Sequence, residues 1–103
     1  MTGPFIVALD QGTSSCRAVA VDKNGTICYQ QSKVFSPHRA VPGVSEYDAS
    51  ALLAAQLEVL HALLDEIGPK QVAALAVCSQ RSSVVLWDGL FYFLTNFVVC
   101  LLY

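Results

Sequence analysis

Short apolar runs alternate with polar breaks through the first third of the chain, and the breaks carry turn-forming residues. Phe5-Ile6-Val7-Ala8-Leu9 is an unbroken apolar run, the pattern of a strand buried on both faces. Asp10-Gln11-Gly12-Thr13-Ser14-Ser15 interrupts it with small polar residues. A second apolar run, Ala18-Val19-Ala20-Val21, follows and stops at Asp22-Lys23-Asn24-Gly25. Asn-Gly is a strong short-range hairpin signal. Thr26 to Phe35 then predicts a third strand, with Ile27, Val34 and Phe35 as its apolar contributions. These segments predict an antiparallel meander of three strands.

Ser36 to Tyr47 reads as a loop broken by Pro37, Pro42 and Gly43. Asp48 or Ser50 can cap the helix that follows by accepting hydrogen bonds from its first-turn amides. Leu53, Leu57, Leu60, Leu64 and Ile67 recur at steps of four and three, which predicts one buried helical face. Gly68-Pro69 ends the helix. Val72 to Cys78 predicts a further buried strand returning to the sheet. The predicted class is α/β, in the order strand, strand, strand, helix, strand. No internal repeat or low-complexity linker appears.

Length and composition narrow the functional classes. A chain of 103 residues makes at most one small domain, and a cleft for a nucleotide plus a second substrate normally takes more chain. The net charge of −2 offers no basic patch, so nucleic acid is not an expected partner. Cys16, Cys28, Cys78 and Cys100 are irregularly spaced with no CxxC pair, which points to reduced thiols rather than zinc or disulfides. His38 in its proline-containing loop and His61 on the helix have no partner at ligand spacing. The start, Met1-Thr2-Gly3-Pro4-Phe5, lacks a positive n-region and a cleavage site, so a cytoplasmic location is expected.

The segment that carries chemistry is Asp10-Gln11-Gly12-Thr13-Ser14-Ser15-Cys16-Arg17, set between two strands. Gly12 has no side chain, so backbone amides can approach phosphate oxygens closely. Thr13, Ser14 and Ser15 add hydroxyl donors. Asp10 offers a carboxylate to magnesium through the ion's water shell. Arg17 adds a fixed positive charge able to pair with phosphate. The bland reading of an isolated Asp-x-Gly-Thr is a solvated turn. Here the flanking strands, the serine run, the arginine and the Asn-Gly hairpin all favour phosphate binding. Cys16 lies inside this loop, where its small size matters more than its thiol.

Ala8 to Val19 resembles the first phosphate motif of the FGGY carbohydrate kinases, in its glycerol kinase-like form. Pro42-Gly43-Val44-Ser45-Glu46-Tyr47-Asp48 resembles that family's loop before its first helix, without the usual tryptophan after the glycine. Val77-Cys78-Ser79-Gln80-Arg81-Ser82 resembles its strand end and substrate loop. The likeness runs over residues 5 to 88 and implies a partial, truncated actin-like (ribonuclease H-like) ATPase domain. It also implies ATP and Mg2+ as cofactors and a small-molecule sugar or polyol as substrate. Asp10 matches the magnesium-associated aspartate, and Thr13, Ser14, Ser15 and Arg17 match the phosphate-contacting positions. Gln80, Arg81 and Ser82 match the substrate loop. Ser82 stands where glycerol kinases carry an acidic residue, and a neutral hydroxyl cannot accept as two carboxylate oxygens would.

The same resemblance places the family's catalytic base far downstream and its adenosine contacts in a second domain. Asp48, Asp65 and Asp88 match no such base, so the chain alone is expected to be inactive. Residues 1–88 are therefore expected to form the partial kinase domain. Gly89 to Tyr103 carries no charge and reads as an apolar tail that does not match the family. Such a tail predicts exposed apolar surface and self-association. It falls short of the roughly 18 apolar residues of a spanning helix, so membrane insertion is not expected. Two alternatives stand beside the kinase fragment: a non-catalytic nucleotide-binding or interaction piece, and a tail-anchored membrane protein.

Overall fold

The computed structural model describes residues 3–12, 14–36, 45–79, 83–85 and 97–100. The predicted meander is present: β1 (Phe5–Gln11), β2 (Ser15–Val21) and β3 (Ile27–Val34) pair antiparallel in turn. The turn between β2 and β3 is built on three residues rather than on a two-residue Asn-Gly loop. Asp22 N–H donates to Thr26 O at 3.0 Å and Gly25 N–H to Asp22 O at 3.0 Å. Asp22 Oδ1 also accepts from the amides of Asn24 and Thr26. The Thr26 amide is the main reason the Asp22 carboxyl is held below its usual range. Gly25 adopts φ 81°, the left-handed position that completes this three-residue form.

Strand β4 (Ser45–Asp48) forms where the sequence reading placed only loop. Asp48 ends it and caps α1 (Ala49–Ile67), its Oδ1 accepting from the amides of Ser50 at 2.9 Å and Ala51 at 3.2 Å. Asp48→Ala is expected to lower stability by about 0.5–2 kcal/mol, checked by thermal melting against Ser50→Ala, which should change little. The helix ends as expected at Gly68, where φ is 83° and the amide donates to Leu64 O. A 3₁₀ turn over Pro69–Gln71 leads into β5 (Val72–Ser79).

β5 runs parallel to β1, giving a four-stranded sheet in the order β3-β2-β1-β5. Short β6 (Ser83–Val85) and β7 (Phe97–Cys100) join β4 in a second sheet, ordered β4-β7-β6. Residues 97–100 of the apolar tail thus form the central strand of that sheet, with Ser45 opposite Cys100 and Asp48 opposite Phe97.

The core lies between one face of the first sheet and α1. Phe5, Val7 and Leu9 from β1 and Cys16, Ala18 and Ala20 from β2 meet Ala55, Val59 and Leu63 of the helix. The ring of Phe5 meets Tyr29 edge to face at 5.8 Å. The helical face differs from the expected one. Leu53 is 53% exposed and Leu57 42%, while the smaller Ala55 and Val59 are buried. The reason is fit: β2 presents Cys16, Ala18 and Ala20, and small residues on both elements let helix and sheet approach closely. Size alone had favoured the leucine stripe. Leu60 and Ile67, also in that stripe, do pack against the core.

The expectation of a buried β5 also fails. Leu75 and Val77 are 55% and 69% exposed, because α1 packs on β1, β2 and β3 and leaves β5 uncovered.

Candidate phosphate-binding site

Side chains alternate across β1, so the strand sorts its residues between two surfaces. Phe5, Val7 and Leu9 point to α1, and Asp10 points to the open face. In β2, Cys16 is buried and Arg17 exposed. The hairpin register sets Asp10 directly opposite Arg17, so both charges share the open face. Arg17 Nη2 lies 3.8 Å from Asp10 Oδ2, with about half of each side chain accessible. Across the sheet the same rung continues to Ser32 on β3 and Cys78 on β5. The result is a polar strip across four strands, with one anion and one cation at its centre.

The loop beside this pair is closed by its backbone. Gly12 N–H donates to Ser15 O at 2.9 Å, and Phe35 N–H donates to Ser14 O at 2.9 Å. A Cβ on Gly12 would lie 2.9 Å from the Ser15 carbonyl oxygen. The hairpin itself therefore requires glycine there, apart from any demand made by a ligand. Ser14 is exposed and Ser15 partly so. Cys16 is fully buried, and burial pushes its thiol pKa up, which leaves it a small protonated core residue.

The structure brings Asp10, Gly12, Ser14, Ser15 and Arg17 together at one end of the sheet. Thr13 lies outside the described residues, and so do Gln80, Arg81 and Ser82 of the expected substrate loop and His38. Ser79, the last residue of β5, stands beside Gln11 in the parallel register. The chain therefore leaves β5 at the phosphate-loop end. Among the described residues no three His, Cys, Asp or Glu side chains gather as a metal cluster. Asp10 offers one half-exposed carboxylate at the loop, which fits magnesium, an ion that commonly takes one or two protein carboxylates and completes its shell with water and phosphate oxygens. A cleft of about 320 Å3 lined by Gly3, Pro4, Asp22, Lys23 and Asn24 lies at the opposite end of β1 and β2. There the Asp22 Oδ1 is taken up by the Asn24 and Thr26 amides of the β2–β3 turn.

Sequence reasoning had missed the facing of Asp10 and Arg17. The signal was available: a hairpin closed by Gly12 and Ser15 must set residue 10 opposite residue 17. It had also missed Gln11 and Gln56, whose amides sit beneath the loop on the helix side; no sequence pattern singles these out.

A β-meander, a crossing helix and a parallel return strand, with an Asp-Gly-Ser-Arg hairpin at the strand ends, make up a mixed α/β half-domain. Residues 5–100 match the N-terminal domain of the FGGY family of carbohydrate kinases, and the chain belongs to that family. It is 36% identical over 90 residues to a glycerol kinase of Carboxydothermus hydrogenoformans, covering 85% of this chain and 18% of that protein. A glycerol kinase of Brevibacillus brevis is 38% identical over the same length and shares. A gluconate kinase structure from Lactobacillus acidophilus superposes with a TM-score of 0.81 at 28% identity, over 91% of this chain and 19% of that one. The chain thus spans about a fifth of the length of these relatives. Its fold is part of the actin-like ATPase domain they share. Among the described residues no helix is long and apolar enough to cross a membrane.

Proposed function

We propose that this chain supplies the first phosphate loop of a cytoplasmic, ATP-dependent sugar or polyol kinase. The observation that carries this reading is the Asp10–Arg17 pair on the open sheet face, beside the tight Gly12–Ser15 turn. Phosphoryl transfer to an alcohol depends on positioning and on neutralising charge more than on covalent help from the protein. Gly12, Thr13, Ser14 and Ser15 bind phosphate oxygens through amides and hydroxyls. Arg17 would pair with the phosphate oxygens, and Asp10 would hold the hydrated magnesium ion. Bound Mg-ATP supplies the phosphoryl group and the cation that offsets its charge. Gln80, Arg81 and Ser82 follow β5 and contact the acceptor alcohol, a sugar or polyol whose identity they do not fix. The division after Asp88 rests on the uncharged composition of residues 89–103, although the family match continues to residue 100.

The test is a hybrid enzyme. Residues 5–88 replace the matching segment of the Carboxydothermus glycerol kinase, and ADP release is followed with a panel of sugars and polyols. Acceptor-dependent turnover by the hybrid, and none by the 103-residue chain alone, is the expected result. A folded hybrid that is idle with every acceptor would overturn the reading.

A further inference from the structure

Two buried side-chain atoms among the described residues lack a hydrogen-bonding partner: Gln11 Nε2 and Gln56 Oε1. One is a donor and the other an acceptor, and burying either unmatched is costly. Their placement makes them complementary. Gln11 continues the β1 alternation of Phe5, Val7 and Leu9, so it lies on the α1 side of the sheet, directly behind Asp10. It is paired in register with Cys16, the residue before Arg17. Gln56 approaches the neighbouring rung, Asp10 opposite Arg17, from the helix, its Nε2 donating to the Arg17 carbonyl oxygen at a long 3.5 Å.

We propose that these two groups, unbonded in this structure, close on each other by side-chain rotation, Gln11 Nε2–H donating to Gln56 Oε1, and that the pair so formed positions the phosphate loop. One helical side chain then grips both strands of the hairpin: β1 through the Gln11 amide and β2 through the Arg17 carbonyl. Each contact adjoins a charged residue of the site, Asp10 in one strand and Arg17 in the other. With the grip in place the hairpin mouth cannot splay, and the spacing of the two charges is fixed from behind the sheet. Gln11 and Gln56 are positioning residues: neither shares the open face with Asp10 and Arg17. The functional half of the proposal rests on the phosphate-loop reading given above.

A double-mutant cycle on the 103-residue chain tests it. Gln11→Leu and Gln56→Leu should each lower the folding equilibrium constant by about tenfold, because each leaves the other amide buried and unmatched. The double variant removes both, so its loss should be well below the product of the single losses. Gln56→Glu keeps an acceptor for Gln11. The Gln11 side-chain amide resonances should stay slow to exchange in that variant and become fast in Gln56→Leu. Affinity for Mg-ADP should fall several-fold in Gln56→Leu, and Gln56→Glu, which keeps an acceptor for Gln11 but cannot donate to the Arg17 carbonyl, should recover only part of it. Strictly multiplicative single effects, with unchanged Gln11 resonances in Gln56→Leu, would overturn the pairing. If a single variant does not fold, rapid exchange of the Gln11 amide protons in the wild-type chain overturns it equally. Coupling without any Mg-ADP binding by the wild-type chain would leave the grip standing and remove the phosphate reading.

Discussion

Leu63→Ala should lower the unfolding free energy by about 2–5 kcal/mol, whereas Leu53→Ala should change it by no more than about 0.5 kcal/mol. Both positions are leucines on the same helix, and sequence periodicity had favoured Leu53. In the fold, Leu63 has no accessible surface and packs among residues of β1 and β2, while Leu53 is 53% exposed. Truncating Leu63 removes buried methyl groups and leaves a cavity that the sheet cannot close. A domain of this size has roughly 5–15 kcal/mol in total, so the loss is a large share of it. Urea unfolding followed by circular dichroism gives both values under one protocol. Equal losses at the two positions would mean that the helix is seated on its leucine stripe after all.

Arg17→Ala should weaken binding of Mg-ATP to the chain by about 10- to 100-fold. Hydrogen bonds to charged groups are worth about 1.5–3 kcal/mol, and each 1.4 kcal/mol is tenfold in affinity. Arg17→Lys should recover part of that loss, since an ammonium keeps the charge but not the planar fork. Asp10→Asn should act differently: nucleotide still binds, and the dependence of affinity on magnesium disappears. The 3.8 Å Asp10–Arg17 contact explains the difference. In the free chain each charge partly satisfies the other; on the proposed reading Arg17 would pair with phosphate and Asp10 with magnesium in the complex. Calorimetric titrations with and without magnesium separate the two effects. If Arg17→Ala binds as tightly as the wild type, the pair is a surface ion pair of little consequence, as many are.

Much of this was readable before any coordinates. The meander, the helix with its Asp48 cap and Gly68 stop, and the return strand all follow from local chemistry: apolar runs, turn residues and caps. Asp10, Gly12 and Arg17 stand out as candidates because a loop proposed to hold phosphate needs small residues and fixed charges. The failures share a cause. Which face of α1 is buried depends on the small side chains of β2, a relation between segments far apart in sequence. Whether β5 is covered depends on what packs beside it, and α1 stops short of it. The exposure of Leu53, Leu57, Leu75 and Val77 fits a chain that spans about a fifth of its relatives' length. Gln11 and Gln56 were invisible for the same reason, since a glutamine gains meaning only from what stands opposite.

The most direct test of a phosphate seat in the β1–β2 hairpin is a nitrogen–proton correlation spectrum of the labelled chain titrated with Mg-ADP. The amides of Gln11, Gly12, Ser14, Ser15 and Arg17 should move first and furthest, and Arg17→Ala should blunt the response. Shifts centred instead on Gly3, Asp22, Lys23 and Asn24, or none at saturating nucleotide, would contradict it.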